Sequence, residues 1–306
     1  MEKLRIRGGR RLSGTLPISG MKNSALPILF ACALNNETCV LQNVPAVRDV
    51  TTTIEILRRM GVVINYRTPT TLEINGAGFR PCTSPDELVT AIRASSYLMG
   101  VELARCGRTD IAYPGGCRFG SRPLDYHTKA FEIMGAEMST RTRMTGEAED
   151  GLHEGKIMLD TPSVGATINI MLAAVKAEGN TTIFNCAKEP HVIDVANFLN
   201  NMGASIKGAG TDTIRIQGVE HLHGSVYTVI PDQIETGTLM IAAAATRGDV
   251  TIRGCIPTHM EAFTAVQFAK SYAGNYCFSN SICNTGFKSL NKLSIFYPLY
   301  LSKFSC

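Results

Sequence analysis

The sequence has no tryptophan, no stretch of eighteen consecutive apolar residues, and no CxxC pair among its ten cysteines. The missing apolar run speaks against a transmembrane helix. The basic N-terminus, MEKLRIRGGRRLSG, has no apolar core behind it and does not read as a secretory signal. Without paired thiols there is no clustered ligand set for structural zinc. A chain of 306 residues that is 44% hydrophobic does not need a disulfide framework to hold a core. The expectation is a reduced, cytoplasmic protein with mostly buried thiols, no metal and no cofactor.

Acidic residues are absent after Glu261. The net charge of +4 comes wholly from Lys270, Lys288, Lys292 and Lys303, so residues 1–261 are neutral and no nucleic-acid-binding patch is indicated. The segment 262–306 also holds ten of the 21 Phe and Tyr residues and three of the ten cysteines, an abrupt change of composition.

What is present is a repeat of about seventy residues, on a chain whose length suggests two domains. Clear copies begin NSALPILFACAL at Asn23, GATINIMLAAV at Gly165 and TGTLMIAAAA at Thr236, with a divergent copy, RASSYLMGVELA, at Arg93. Each gives a helix apolar on every face, then a turn and a β-rich run. The landmark prolines Pro45, Pro190 and Pro257 are 145 and 67 residues apart, two periods and then one. A second, amphipathic helix then ends in Met-Gly, placing Gly61, Gly135 and Gly203 at helix C-caps. Helices apolar all round belong inside a domain, with the sheets outside them.

A helix N-terminus carries unpaired N–H groups and about half a positive charge, which suits phosphate. The repeat puts Lys22–Asn23, Arg93, Ser163–Val164–Gly165 and Thr236–Gly237 at equivalent helix starts. Alone, Lys22 or Arg93 reads as a solvated cation. At matching repeat positions they predict a site for a ligand with several phosphates or carboxylates. Between Tyr113 and His127 lies a Gly- and Pro-rich loop, YPGGCRFGSRPLDYH. Its Cys117 stands near Arg118 and Arg122, and neighbouring cations favour thiolate, which suits proton transfer or covalent chemistry.

GMKNSALPILFACAL, GGCRFGSRPLDYH, PSVGATINIM and PDQIETGTLMIAAA, in this order, resemble the signature stretches of the UDP-N-acetylglucosamine 1-carboxyvinyltransferases, a branch of the enolpyruvyl transferase family. The resemblance runs from residue 1 to about 264. It implies an inside-out α/β barrel of two domains, with the active site in the cleft between them. Residues 22–228 would form a complete three-repeat domain, 1–21 with 229–264 part of a second, incomplete one, and 265–306 an unmatched tail. The implied activity moves the enolpyruvyl group of phosphoenolpyruvate to the 3′-hydroxyl of UDP-N-acetylglucosamine, opening peptidoglycan synthesis, without cofactor or metal. By the same resemblance, Cys117 is the general acid and Lys22 neutralises phosphoenolpyruvate. Asn23 orients the intermediate, and Arg122 helps hold phosphoenolpyruvate. Arg93 and the run Arg122, Pro123, Leu124, Asp125, Tyr126 and His127 line the nucleotide-sugar site. Ser163, Val164 and Gly165 cradle its diphosphate, and Asp232, at the second crossing between domains, joins the substrate-binding set.

The family runs to about 420 residues and places a catalytic aspartate in a Phe-Pro-Thr-Asp stretch that this sequence lacks. Residues 265–306 read as a frameshifted or misassembled end. Three readings stay open: an enzyme of this family, an inactive UDP-sugar-binding fragment, and an enzyme like enolpyruvylshikimate-phosphate synthase, which lacks the cysteine loop.

Overall fold

The computed structural model describes residues 5, 7–116, 124–246 and 248–261, together with the backbone of 292–294. In chain order the elements begin with β1 (Ser13–Pro17), α1 (Lys22–Ala31), β2 (Thr38–Gln42), α2 (Arg48–Arg59), β3 (Val63–Thr68) and β4 (Thr71–Asn75). A short α3 (Asp86–Val89) and a 3-10 turn (Arg93–Ser96) lead to α4 (Tyr97–Cys106), β5 (Arg108–Ile111), α5 (Asp125–Ile133), β6 (Glu137–Ser139) and β7 (Met144–Glu147). Next come β8 (Lys156–Met158), α6 (Val164–Ala174), β9 (Asn180–Phe184), α7 (Pro190–Asn201), β10 (Ser205–Lys207), β11 (Thr213–Gln217) and β12 (Val226–Thr228). The series ends with α8 (Gln233–Ala245), β13 (Asp249–Arg253) and β14 (Lys292–Ser294).

The chain forms two compact units. The larger spans Met21–Ile230; the other holds residues up to Gly20 and from Pro231 onward. These boundaries fall one or two residues from the 21/22 and 228/229 expected from the sequence.

In the larger unit one topology recurs three times. A strand is followed by a helix and a hairpin, and the second strand of the hairpin pairs back, antiparallel, with the first: β2 with β4, β5 with β7, and β9 with β11. The sheet orders are β12-β2-β4-β3, β5-β7-β6 and β10-β11-β9-β8. Strand β8 joins β9 in parallel, and β12 joins β2 in the same way. The helix before each first strand lies inside. In α1, Ser24–Ala31 are all buried, and so are Ala166–Ala174 of α6 and Tyr97–Leu103 of α4. Helix α4 packs on both α1 and α6. This is an inside-out α/β barrel, with three apolar helices in the middle and sheets around them.

The outer helices show why the repeat is legible. Helix α2 buries Val50, Thr53, Ile54, Ile56 and Leu57 and leaves Glu55 and Arg59 paired at 2.8 Å in water. It stops at Met60–Gly61, α5 at Met134–Gly135 and α7 at Met202–Gly203. Those glycines have φ of 93, 94 and 98°, a region that costs a residue with a Cβ. Val62, Ala136 and Ala204 donate back to Leu57, Phe131 and Leu199 at 2.9–3.0 Å, the Schellman closure that occupies helix-end carbonyls.

The core also holds a carboxyl. Glu102 of α4 is fully buried and accepts from Cys82 N–H at 2.7 Å and Thr109 Oγ1 at 2.6 Å. Burial pushes it from 4.5 up to about 7, against the pull of those bonds. Between these values the folded carboxyl keeps a proton that the unfolded chain releases. Its contribution is therefore full below about 4.5 and is lost as pH rises through about 7. Glu102→Gln is expected to remove this slope from urea midpoints taken between pH 5 and 8. At pH 8 it should make the protein more stable than the parent, by on the order of 3 kcal/mol.

In the smaller unit β1 pairs in parallel with β13, and β13 with β14 antiparallel. Ile18, Met240, Ala243, Val250, Ile252, Cys255 and Met260 form its core among the described residues. Helix α8 begins at Gln233, not at Thr236 as the repeat suggested. The Asp232 carboxylate caps it, accepting from Ile234 and Glu235 N–H at 2.7 and 3.1 Å, so Thr236–Gly237 lie one turn inside.

Candidate active site

Three internal helices that start at equivalent points of a repeat present their N-termini on one side of the larger unit. There they line a cavity of about 810 Å³. Helix α1 brings Lys22 and Asn23, the 3-10 turn ahead of α4 brings Arg93, Ala94 and Ser96, and α6 brings Ser163, Val164 and Gly165. Tyr126 and His127 enter from α5, Asp49 from α2 and His191 from α7, and Gly116 adds the near end of the Cys117 loop.

Local sequence explains each placement. Ser163 is the N-cap of α6, its Oγ accepting from Ala166 N–H at 3.3 Å, which turns the first N–H groups of that helix toward the cavity. Pro27 inside α1 removes the N–H that would meet the carbonyl of Asn23, loosening the turn that carries Lys22 and Asn23. Gly115 sits where a Cβ would fall 1.6 Å from the Thr90 carbonyl, so only glycine brings the loop this close to the Arg93 segment. Lys22 is held by Asp49 at 2.9 Å with both side chains about 40% exposed (43% and 37%), an ion pair that water screens and a ligand anion can displace.

His127 is buried, and its imidazole is lowered from 6.5 to about 3, first by burial and then by the Arg93 charge. It is a neutral group at any physiological pH. Burial also pushes the Tyr97 phenol up, so it stays protonated. The fixed charges of the wall are therefore Lys22, Arg93 and Asp49, set on three positive helix ends. This arrangement favours a ligand of several negative charges.

Of the residues expected from the sequence, Lys22, Asn23, Arg93, Tyr126, His127, Ser163, Val164 and Gly165 meet in this cavity. Leu124 instead belongs to the core, as the cap residue of α5, and Asp125 faces solvent 3.9 Å from Lys129. Asp232 is in the other unit, capping α8. Cys117, Arg122 and Pro123 lie outside the described residues. Asp49 and His191 were missed by the sequence reading. A signal existed, for Asp49 stands four residues after Pro45 and Asp194 four after Pro190. Both aspartates serve the first turn of α1: Asp49 through Lys22, and Asp194 by accepting from Ser24 Oγ.

Among the described residues no group of three His, Cys, Asp or Glu could hold a metal ion, and no helix is long and apolar enough to cross a membrane.

The family model for EPSP synthase (3-phosphoshikimate 1-carboxyvinyltransferase) matches residues 6–273. UDP-N-acetylglucosamine 1-carboxyvinyltransferase 3 of Caldanaerobacter subterraneus subsp. tengcongensis is 51% identical over 265 residues, which cover 87% of this chain and 63% of that protein. The UDP-N-acetylglucosamine 1-carboxyvinyltransferase of Finegoldia magna is 47% identical over 261 residues, 85% of this chain and 62% of that protein. The chain thus spans about 63% of the length of such relatives. Among solved structures, the enolpyruvyl transferase NikO from Streptomyces tendae aligns with a TM-score of 0.77 at 22% identity, over 95% of this chain and 67% of its own. An EPSP synthase from Acinetobacter baumannii aligns with a TM-score of 0.70 at 20% identity, over 94% and 66%. At these identities the structural likeness speaks for the fold alone.

Proposed function

The chain belongs to the EPSP synthase family, and from that premise we propose that it acts on phosphoenolpyruvate and UDP-N-acetylglucosamine as an enolpyruvyl transferase of peptidoglycan synthesis. The observation that carries this reading is the convergence of Lys22, Arg93 and the α6 N-terminus on one cavity, which Gly116, the chain neighbour of Cys117, also lines. The two ligands are both polyanions, and such a wall suits them. Relatives near 50% identity named for this UDP-sugar favour it over the shikimate alternative.

In the proposed reaction the 3′-hydroxyl oxygen of the sugar adds to C2 of phosphoenolpyruvate, losing its proton to water, while Cys117 gives its thiol proton to C3. A tetrahedral ketal results. Phosphate then leaves C2 and the Cys117 thiolate takes one proton back from C3, which restores the double bond as an enol ether. Lys22, exchanging Asp49 for the incoming anion, and Arg122 hold phosphoenolpyruvate, and Asn23 orients the ketal. Arg93, Pro123, Tyr126, His127 and the α6 N-terminus hold the nucleotide sugar. Donors fixed in advance stabilise charge as it develops. The proposal places the chain in the cytoplasm and needs no cofactor.

Phosphate release from phosphoenolpyruvate, dependent on UDP-N-acetylglucosamine, is the expected result for the full chain. UDP-N-acetylglucosamine bound without phosphate release would favour an inactive sugar-nucleotide-binding module. Turnover of shikimate 3-phosphate in its place would refute the substrate assignment.

A further inference from the structure

Behind the cavity wall sits a carboxamide with no exposure to solvent. Asn169, in the middle of α6, is completely buried and makes three hydrogen bonds. Its Oδ1 accepts from the Gly100 N–H at 3.1 Å. Its Nδ2 donates to the Ser96 carbonyl at 2.8 Å and lies 2.8 Å from His127 Nδ1. The first two bonds orient the amide without ambiguity, because a backbone N–H can only donate and a carbonyl can only accept. The remaining Nδ2 hydrogen therefore points at His127 Nδ1, and a ring nitrogen that accepts a hydrogen bond carries no proton of its own.

We propose that Asn169 is a positioning residue that fixes His127 as the neutral imidazole protonated on Nε2, and so makes that edge of the ring a permanent N–H donor in the cavity wall. The opposite edge is where a ligand oxygen needs it. A Cβ built on Gly165, in the first turn of α6, would stand 3.4 Å from His127 Nε2, so the donor lies beside the positive end of that helix. Gly100 makes room for the device: a Cβ there would come within 2.4 Å of Asn169 Oδ1 and 2.5 Å of its carbonyl oxygen.

Burial and the charge of Arg93, on the turn ahead of α4, oppose an imidazolium, and Asp49, whose negative charge would favour one, is held in an ion pair by Lys22 at 2.9 Å. Tyr97 of α4 stays protonated. Tyr126, on the same helix as His127, is hydrogen-bonded to Thr161 at 2.8 Å. Lys22, Asp49 and His191 complete the wall from α1, α2 and α7. With Nδ1 committed to an amide donor, the ring cannot gain a second proton without breaking that bond. The histidine thus serves as a donor whose state does not follow pH. Its ligand, on the reading of the site given above, is an anionic oxygen of the nucleotide diphosphate.

The test is long-range ¹H–¹⁵N correlation on the full chain labelled with [¹⁵N]histidine, over the pH 5–8 range in which free histidine changes charge. The chain has six histidines, and His127→Gln assigns the signal. His127 is expected to show a protonated Nε2 and a bare Nδ1 throughout. Asn169→Asp offers Nδ1 only acceptors, so it is expected to move the proton to Nδ1 or to create an imidazolium, which a merely structural role for Asn169 would not do. A parent ring protonated on Nδ1, or one that titrates in this range, overturns the proposal, whatever Asn169→Asp does. Adding UDP-N-acetylglucosamine should shift the Nε2 resonance. A ligand that moves the Val164 and Gly165 amides but leaves Nε2 unmoved refutes the donor role. Failure to bind at all counts against the proposed function and the ligand named here, while the tautomer result stands.

Discussion

Replacing Asp194 with alanine is expected to lower the stability of the larger unit by about 2–6 kcal/mol, read as a fall in the urea midpoint followed by circular dichroism. Asp194 is 1% exposed on α7 and accepts from Ser24 Oγ, from Tyr227 OH at 2.6 Å and, more weakly, from Ile230 N–H at 3.4 Å. These donors belong to the first turn of α1 and to the last strand and exit of the unit. Alanine would take the main acceptor from the buried Ser24 hydroxyl and the partly buried Tyr227 hydroxyl, and each such loss costs about 1–3 kcal/mol. The Tyr227 phenol is pushed up by burial and by the adjacent carboxylate, so it remains a donor throughout the neutral range. Asp194→Asn keeps one acceptor oxygen and should lose about half as much. A midpoint for Asp194→Ala within error of the parent would contradict this account of the α1 anchor.

Cys117→Ser is expected to slow UDP-sugar-dependent phosphate release by about 10²–10⁴-fold, the usual worth of a positioned general acid. A serine hydroxyl holds its proton far more tightly than a thiol, so it delivers that proton to carbon poorly. Affinity for UDP-N-acetylglucosamine should hardly change, because the role proposed for Cys117 is proton transfer to phosphoenolpyruvate and not contact with the sugar nucleotide. A drop in affinity with unchanged turnover would reverse the assignment and make Cys117 a binding residue. Turnover unchanged in both respects would remove it from the chemistry.

Much of the fold can be read along the chain, because the interactions that set it are local. Met-Gly at the end of an amphipathic run announces a left-handed C-cap, and Gly61, Gly135 and Gly203 deliver it with the same backbone bonds three times. Helices apolar on every face, such as Ser24–Ala31 and Ala166–Ala174, belong in the interior. Their shared phase in the repeat is what brings Lys22, Arg93 and Ser163 to one cavity. The misplaced start of α8 came from aligning small residues between repeats. The stronger local rule was Asp232 with donors two and three residues ahead.

The polar interior was not legible in the same way. Asn169 reaches Ser96, 73 positions back, and Asp194 reaches Ser24, 170 positions back. No window along the sequence pairs such residues, and an asparagine in an apolar helix looks like a flaw until its partners are known. The acids four places after the landmark prolines, Asp49, Asp194 and Glu261, recur as regularly as the prolines do. They carry information about the ends of the inner helices that the prolines alone do not.

The parallel pairing of β12 with β2 has a consequence for how the protein can be taken apart. It seats the final strand of the larger unit in the sheet of its first repeat, and Met21 N–H reaches the Ile230 carbonyl at 2.8 Å. Entry and exit are thus neighbours, as they are in a domain inserted into a host. Excised at these two points and rejoined head to tail, or reopened at the hairpin between β3 and β4, the unit should still find its own shape, since among the described residues no sheet in it depends on a strand from outside.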